Sequence, residues 1–290
     1  MAIVYQRLLD RHFPPIEHAY TKRDTMLYAL GIGLGADPLD TAQLPYVYEG
    51  DTGPKVLPTL PVVLAYPRFW AKEPDTGIDW RRLVHAEQSF ELHAPLAAEG
   101  RVIGHNRVTA IHDKGAEKGA LLTQQREIVD ALSGTRIATV SQVSLLRGDG
   151  GFGSPASAPT PAPHPIPERS PDAICDLRTS TQAALIYRLS GDMNPLHADP
   201  AVARGAGFSQ PILHGLCTMG IACHAALRAL LDYDALRIRA MRVRFTAPVL
   251  PGDTLRTELW QDGEVVSFRT IALERQVTVL GAGRIDTKPQ

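Results

Sequence analysis

The sequence predicts an α+β protein in which a long helix is wrapped by an antiparallel sheet, with that arrangement occurring twice. Three observations carry the prediction. A proline-dense stretch divides the chain near its midpoint, short segments recur in the same order on either side of it, and each half ends in four segments with strand-like alternation. At 290 residues the chain has room for two domains of ordinary size.

The divider runs from Gly148 to Pro171 and holds Pro155, Pro159, Pro161, Pro163, Pro165, Pro167 and Pro171. Proline at that density removes amide donors and fixes φ, so neither helix nor central strand persists, and residues 151–172 read as a linker. It separates a first unit, residues 1–150, from a second, residues 173–290. Leu27-Tyr28-Ala29-Leu30-Gly31 matches Ile186-Tyr187-Arg188-Leu189-Ser190, Leu57-Pro58-Thr59-Leu60 matches Leu213-His214-Gly215-Leu216, and Phe90–Leu96 matches Val243–Val249. The spacing between partners shortens slowly along the chain, as loop deletions between shared elements would make it, so the halves read as a diverged tandem duplication.

Within the second unit, Leu213–Leu231 is rich in Ala and Gly and apolar on most sides, which predicts a helix buried nearly all round. Arg239–Phe245, Thr254–Trp260, Glu264–Leu273 and Gln276–Arg284 then alternate in strand fashion, punctuated by Pro251-Gly252-Asp253 and Gln261-Asp262-Gly263. The first unit repeats the order with Val84–His93, Arg101–Asp113, Ala120–Ser133 and Thr135–Leu146.

Composition narrows the function classes. Apolar residues make up 44% and charged residues 21%, as in an ordinary globular protein. Thirty basic against thirty-one acidic residues leave a net charge of −1, so no global positive field exists to hold nucleic acid. No apolar run is long enough for a membrane span, and the N-terminus lacks the charged-then-apolar pattern of a secretion signal. Cys175, Cys217 and Cys223 are odd in number and have no metal or disulfide spacing, which suits a reducing compartment. The C-terminal Thr287-Lys288-Pro289-Gln290 is not a peroxisomal address, and the expected location is cytoplasmic.

Chemistry concentrates in Tyr187-Arg188-Leu189-Ser190-Gly191-Asp192-Met193-Asn194-Pro195-Leu196-His197-Ala198-Asp199-Pro200. The Asn-Pro step forbids a continuous helix, so Asp192 and His197 can converge from a loop as an acid–base pair. Downstream, Gln210-Pro211-Ile212-Leu213-His214-Gly215 puts a glycine at the head of the buried helix, where free amides suit developing negative charge on oxygen. Together they describe an activated water facing a polarised carbonyl. His214 is open to either a catalytic or a structural reading, His224 reads as a core histidine, and Asp199 as a turn cap before Pro200. A metal site from His197, Asp199, His214 and Cys217 matches no standard spacing. Gly31-x-Gly33-x-Gly35 departs from the dinucleotide fingerprint.

The run Tyr187–Pro200 followed by Gly207–Gly215 resembles the hydratase 2 motif of the MaoC-like (R)-specific enoyl-CoA hydratases. Thr25–Gly33, Tyr48-Glu49-Gly50 and His85-Ala86-Glu87-Gln88 resemble the first repeat of the long members of that family. The resemblance covers nearly the whole chain. It implies a double hotdog fold with one active site, the first repeat being non-catalytic and helping to house a bulky acyl chain and CoA, because that repeat has Pro58 where the second has His214 and has no Asp-x-Asn-x-x-His segment after Tyr28. It further implies that Asp192 and His197 are the catalytic pair, that Asn194 belongs to the hydrated site, and that the Gly215 amide holds the thioester oxygen. By the same resemblance His85, Ala86, Lys114, Met193 and Phe245 border the CoA and acyl groups, with Ala86 standing where a glycine is common. Arg188 either orders the loop or meets a phosphate, and Glu49, Tyr187 and His214 support the active loop. The implied reaction is reversible hydration of a trans-2-enoyl-CoA to the (R)-3-hydroxyacyl-CoA. No cofactor or metal is needed beyond the CoA the substrate carries, and a homodimer is suggested. The rival readings are a dehydratase acting on acyl carrier protein, a hydratase or dehydratase for a short, branched or dicarboxylic CoA ester, a hotdog thioesterase, and a non-catalytic acyl-thioester binding protein.

Overall fold

One continuous ten-stranded sheet organises the computed structural model, which describes residues 3–51, 53–153 and 162–289. In chain order the strands are β1 (Ile16–Tyr20), β2 (Leu83–Leu92), β3 (Gly100–Asp113), β4 (Ala120–Asp130), β5 (Arg136–Leu146), β6 (Ala173–Arg178), β7 (Ile238–Phe245), β8 (Thr254–Asp262), β9 (Val265–Ala272) and β10 (Val277–Thr287). The helices are α1 (Tyr5–Leu9), α2 (Lys22–Gly31), α3 (Leu44–Val47), α4 (Ala183–Tyr187), α5 (Pro200–Gly205) and α6 (Gly215–Leu230). Across the sheet the order is β1-β3-β4-β5-β2-β7-β10-β9-β8-β6. Read inward from either edge, the two halves follow the same path, so the duplication seen in short sequence matches is also the symmetry of the sheet.

The halves meet at β2 and β7, paired antiparallel from Glu87 opposite Arg244 to Glu91 opposite Ala240. Arg244 Nε donates to Glu87 Oε1 at 2.9 Å and Arg239 Nη1 to Glu91 Oε1 at 3.1 Å. These half-exposed pairs set register more than stability, each contributing about 0–1 kcal/mol. Alternation located eight strands to within a few residues. It missed β1 and β6, the strands at the two sheet edges, which at five and six residues are too short for alternation to stand out.

Helix α6 is the expected buried helix: every residue from Leu216 to Leu227 is buried, lying against β6 and β8. Its counterpart in the first repeat differs from expectation. Leu57, Leu60, Val62, Val63, Leu64 and Ala65 are buried where a helix would lie, but only a 3-10 turn, Leu60–Val62, forms there. Pro58 and Pro61 lack the amides that helix continuation needs, and the next residues run toward Pro67. Thus the double hotdog carries its long helix in one copy only. The first copy instead uses α2, started by a capping box between Thr21 and Asp24.

The related segments α2 and α4 pack against each other, with Tyr28 and Tyr187 ring centroids 5.8 Å apart. A single core runs from Tyr28, Ile32 and Leu60 through α6 to Val266, Phe268 and Leu280. A second cluster around Trp70, Ile111 and Leu146 sits under α1 at the outer side of the first repeat. Of the proline stretch, Pro155, Pro159 and Pro161 lie outside the described residues. Its second part packs on the C-terminal sheet, where His164 meets Ser267 Oγ at 2.8 Å and Trp260 Nε1 donates to the Arg169 carbonyl at 2.7 Å. No helix among the described residues is long and apolar enough to cross a membrane.

Close approach of α6 to the end of α2 requires Gly220, since a β-carbon there would lie 2.6 Å from Ile32 Cγ2. Gly220→Ala is therefore expected to destabilise the protein by about 1–3 kcal/mol despite alanine's better helix propensity. Urea denaturation measures it, and an unchanged midpoint would show that the two helices have slack between them.

Candidate active site

Helix α4 passes into a 3-10 turn, Arg188–Ser190, and stops at Gly191, whose φ of 129° is reserved for glycine. The chain then turns through a series of side-chain-to-backbone bonds. Asp192 Oδ1 accepts from the Asn194 amide at 3.1 Å, and Asn194 Oδ1 from the Leu196 amide at 3.1 Å, starting the 3-10 turn Pro195–His197. Asp199 Oδ1 accepts from the Ala201 amide at 2.7 Å, capping α5. The polar run therefore divides: Asp192, Asn194 and Asp199 all shape the loop with their side chains, Asp192 staying half-buried, and His197 is carried inward by it.

His197 is 8% exposed, and its Nδ1 lies 2.8 Å from the Ile212 carbonyl oxygen. A carbonyl only accepts, so Nδ1 carries the hydrogen and Nε2 is left with a lone pair. His214, preceding α6, places Nε2 3.1 Å from the Asp192 carbonyl oxygen and is pinned the same way, its buried Nδ1 having no protein partner. The two rings stack at 3.7 Å and 26°. Burial lowers the pKa of His197, and burial followed by the neighbouring His197 lowers that of His214 to about 4. Both imidazoles are neutral near neutral pH. Asp192, His197 and His214 present atoms all within 4.8 Å of one another. That closeness would serve one divalent ion, and it equally serves a shared water.

The head of α6 closes the site. The His214 side chain makes no capping bond there, so the first amides of α6, beginning with Gly215, lack intrahelical acceptors. A β-carbon on Gly215 would sit 3.1 Å from Phe245 Cε1. Phe245, at the end of β7, meets His85 of β2 edge-on at 4.8 Å. The β2–β7 seam thus brings His85, its neighbour Ala86 and Phe245 to the α6 head. His85 Nε2 is shielded without a partner, and burial lowers its pKa to about 4.

The remaining candidates are distributed more widely. Tyr187 is fully buried with its ring 5.1 Å from that of His214, a support for the loop. Arg188 contributes a positive charge that helps lower the His214 pKa, and its Nε has no partner. Met193 is 53% exposed beside Asp192. Lys114 is exposed at the β3–β4 turn, on the same sheet end as His85 and three strand spacings from β2, roughly 14 Å. Glu49 is exposed just beyond α3 and takes no part in the hydrogen bonds of the Asp192–His197–His214 group. His224 is a core residue meeting Tyr233 Oη at 3.2 Å, and Cys217 Sγ donates to the Gly31 carbonyl at 3.3 Å. Sequence reasoning missed the Ile212 carbonyl, because a backbone oxygen leaves no residue-type signal. It also missed that Val63 of the first repeat faces the Asp192–His197 loop, its carbonyl 3.7 Å from where a Gly191 β-carbon would be.

Comparison with known proteins agrees with this architecture half by half. Residues 18–148 match the MFE-2 hydratase 2 N-terminal domain and residues 163–282 the MaoC like domain. The chain is 38% identical to Enoyl-CoA hydratase ChsH3 of Mycobacterium tuberculosis, over 95% of each chain. It is 36% identical to peroxisomal Enoyl-CoA hydratase 2 of Arabidopsis thaliana, covering 97% of this chain and 94% of that one. The crystal structure of a MaoC-like dehydratase from Phytophthora capsici superposes with a TM-score of 0.86 at 33% identity, covering 98% of this chain and 99% of that one. With both halves matched in the same order, the chain belongs to the MaoC-like hydratase 2 family and is a hydro-lyase.

Proposed function

We propose that this protein adds water reversibly across the double bond of a trans-2-enoyl-CoA, giving the (R)-3-hydroxyacyl-CoA. The observation that carries the reading is a buried, neutral His197 with a ring nitrogen within 4.8 Å of an Asp192 carboxylate oxygen, next to the α6 head, whose first amides have no side-chain cap. The hydratase names of its relatives support the CoA thioester, and the (R) configuration rests on the family resemblance.

In this reading the thioester oxygen sits at the Gly215 amide. Polarisation there makes C3 electrophilic, and a donor aimed at the enolate oxygen in a dry site contributes about 3–4 kcal/mol. Water held between Asp192 and His197 attacks C3 while His197 Nε2 takes its proton; the π electrons of C2=C3 move toward the thioester oxygen. As the enolate collapses, C2 takes a proton from Asp192 in its acid form. The proton left on His197 then passes to Asp192 through the next water, restoring the starting state. One O–H and one π bond break, one C–O and one C–H bond form, and no redox partner enters. Lys114 and Arg188 offer cations to CoA phosphates.

Asp192→Asn and His197→Ala are each expected to fold and to lower kcat by about 10²- to 10⁴-fold, read from the loss of enoyl-thioester absorbance with a crotonyl-CoA substrate. Normal turnover in either variant would remove that residue from the mechanism. The lowered pKa of His197 means that the base stays neutral below histidine's ordinary value, so activity is retained on acidification until the folded-state pKa is reached. The acid limb of kcat/KM should therefore lie below about pH 6.5; a limb at or above that value would place the base elsewhere.

A further inference from the structure

In place of a long helix, the concave face of the first repeat is covered only in part, by the buried segment from Leu57 to Ala65, which clusters with Phe90, Val102, Ile128 and Val140. In the second repeat that face presents Leu255, Leu259, Val266, Phe268 and Leu280 to the core. In the first, a polar row sits between apolar clusters on the inward face. Gln88, Asn106 and Arg126 are 2%, 7% and 4% exposed. With Gln124, Gln142 and Tyr66 they line one cleft, and Tyr66, Gln124 and Gln142 continue into a second, bordered by Phe69 and Trp70.

The hydrogen-bond inventory of this row is unbalanced toward donors. Trp70 Nε1 donates to Gln124 Oε1 at 2.9 Å, Gln124 Nε2 to Asn106 Oδ1 at 3.4 Å, and Tyr66 Oη to Gln142 Oε1 at 3.4 Å. Each of these amide oxygens thus already has a donor from within the row. Left over are Asn106 Nδ2 and Arg126 Nε, buried and without partners, on residues directly opposite each other in the β3–β4 register. Among the described residues Arg126 pairs with no carboxylate. Its Nη2 donates to the Val62 carbonyl at 2.7 Å and the Pro61 carbonyl at 3.3 Å, and its guanidinium lies 5.1 Å from the Tyr66 ring centroid. Capping those two carbonyls explains one nitrogen of Arg126; it explains neither Nε nor the Asn106 amide. Two adjacent donors, one of them charged, lack a partner with two acceptor oxygens.

The cleft also lies close behind the chemistry. Val62 accepts from Arg126, and the carbonyl of the next residue, Val63, faces Gly191 beside Asp192. We propose that this cleft receives the far end of the acyl chain and that Arg126 and Asn106 bind a carboxylate carried there, so that the preferred substrate is a trans-2-enoyl-CoA with a second, distal carboxylate. The inference rests on the enoyl-CoA reading above and specifies its substrate class. An apolar chain end in the same place would leave both donors unpaired, which is what gives the site its discrimination.

The test compares pairs of trans-2-enoyl-CoA esters of matched length, one ending in a carboxylate and the other in a methyl group, over a short series of lengths. For at least one length the wild-type kcat/KM should favour the carboxylate form by on the order of 10- to 100-fold. Arg126→Met should abolish the preference while the methyl-ended ester is still hydrated. Asn106→Leu, which leaves the bonds from Arg126 to Pro61 and Val62 in place, should reduce it and guards against a folding defect in the first variant. Equal or better hydration of the methyl-ended ester at every length, or a preference unchanged in Asn106→Leu and in a folded Arg126→Met, overturns the carboxylate assignment alone. Failure of the wild type to hydrate any ester overturns the enoyl-CoA reading and this assignment with it.

Discussion

The carbonyl of Ile212 is the contact on which the proposed chemistry turns. By accepting the Nδ1 hydrogen of His197 it leaves Nε2 as the basic nitrogen and fixes the ring's orientation. The Asp192 carbonyl does the same for His214 through the opposite nitrogen. Two imidazoles stacked at 3.7 Å cannot both be charged without strong repulsion, and burial already disfavours the charge on each. The backbone thus prepares a neutral base before substrate arrives, and electrostatic preorganisation of this kind is a large part of what an enzyme contributes to a barrier.

Duplication supplies the frame, and divergence supplies the site. A sheet of two equivalent halves must be joined somewhere, and joining them through β2 and β7 carries His85 and Phe245 to the head of α6. The second copy keeps a helix that is buried almost all round, whose close packing on Ile32 ties it to the first copy. The first copy has lost that helix to prolines and keeps a 3-10 turn whose carbonyls Arg126 caps. Part of its inner face carries the polar row of Gln88, Asn106 and Arg126, close to the Asp192–His197 loop of the other copy. One repeat performs the proposed reaction while the other shapes what can reach it.

Much of the fold was legible in the chain because period-2 alternation reports which face of a strand is buried, and eight of the strands have one buried face. The edge strands Ile16–Tyr20 and Ala173–Arg178 were not legible, since each is short and pairs on one side only. A long helix in the first repeat was expected by symmetry and is absent, although Pro58 and Pro61 stood in the sequence as the reason. At the site, the spacing of Asp192 and His197 across Asn194-Pro195 was readable, and so was the glycine at the head of α6. The capping by Asp199 before Pro200 was readable too. The part played by Asn194 was not: its side-chain oxygen turns to the Leu196 amide, a role set by the path of the loop.

By itself the sequence determined the duplication, the α+β class and the short segment that holds both Asp192 and His197, because periodicity, proline placement and motif spacing are local properties that survive without a partner. Tertiary structure alone decided which nitrogen of His197 is basic, how His85 and Phe245 reach the second repeat, and that Arg126 and Asn106 face each other with donors unpaired. Those outcomes depend on which backbone carbonyls and which strands come to lie side by side, and such pairings join residues far apart in the chain.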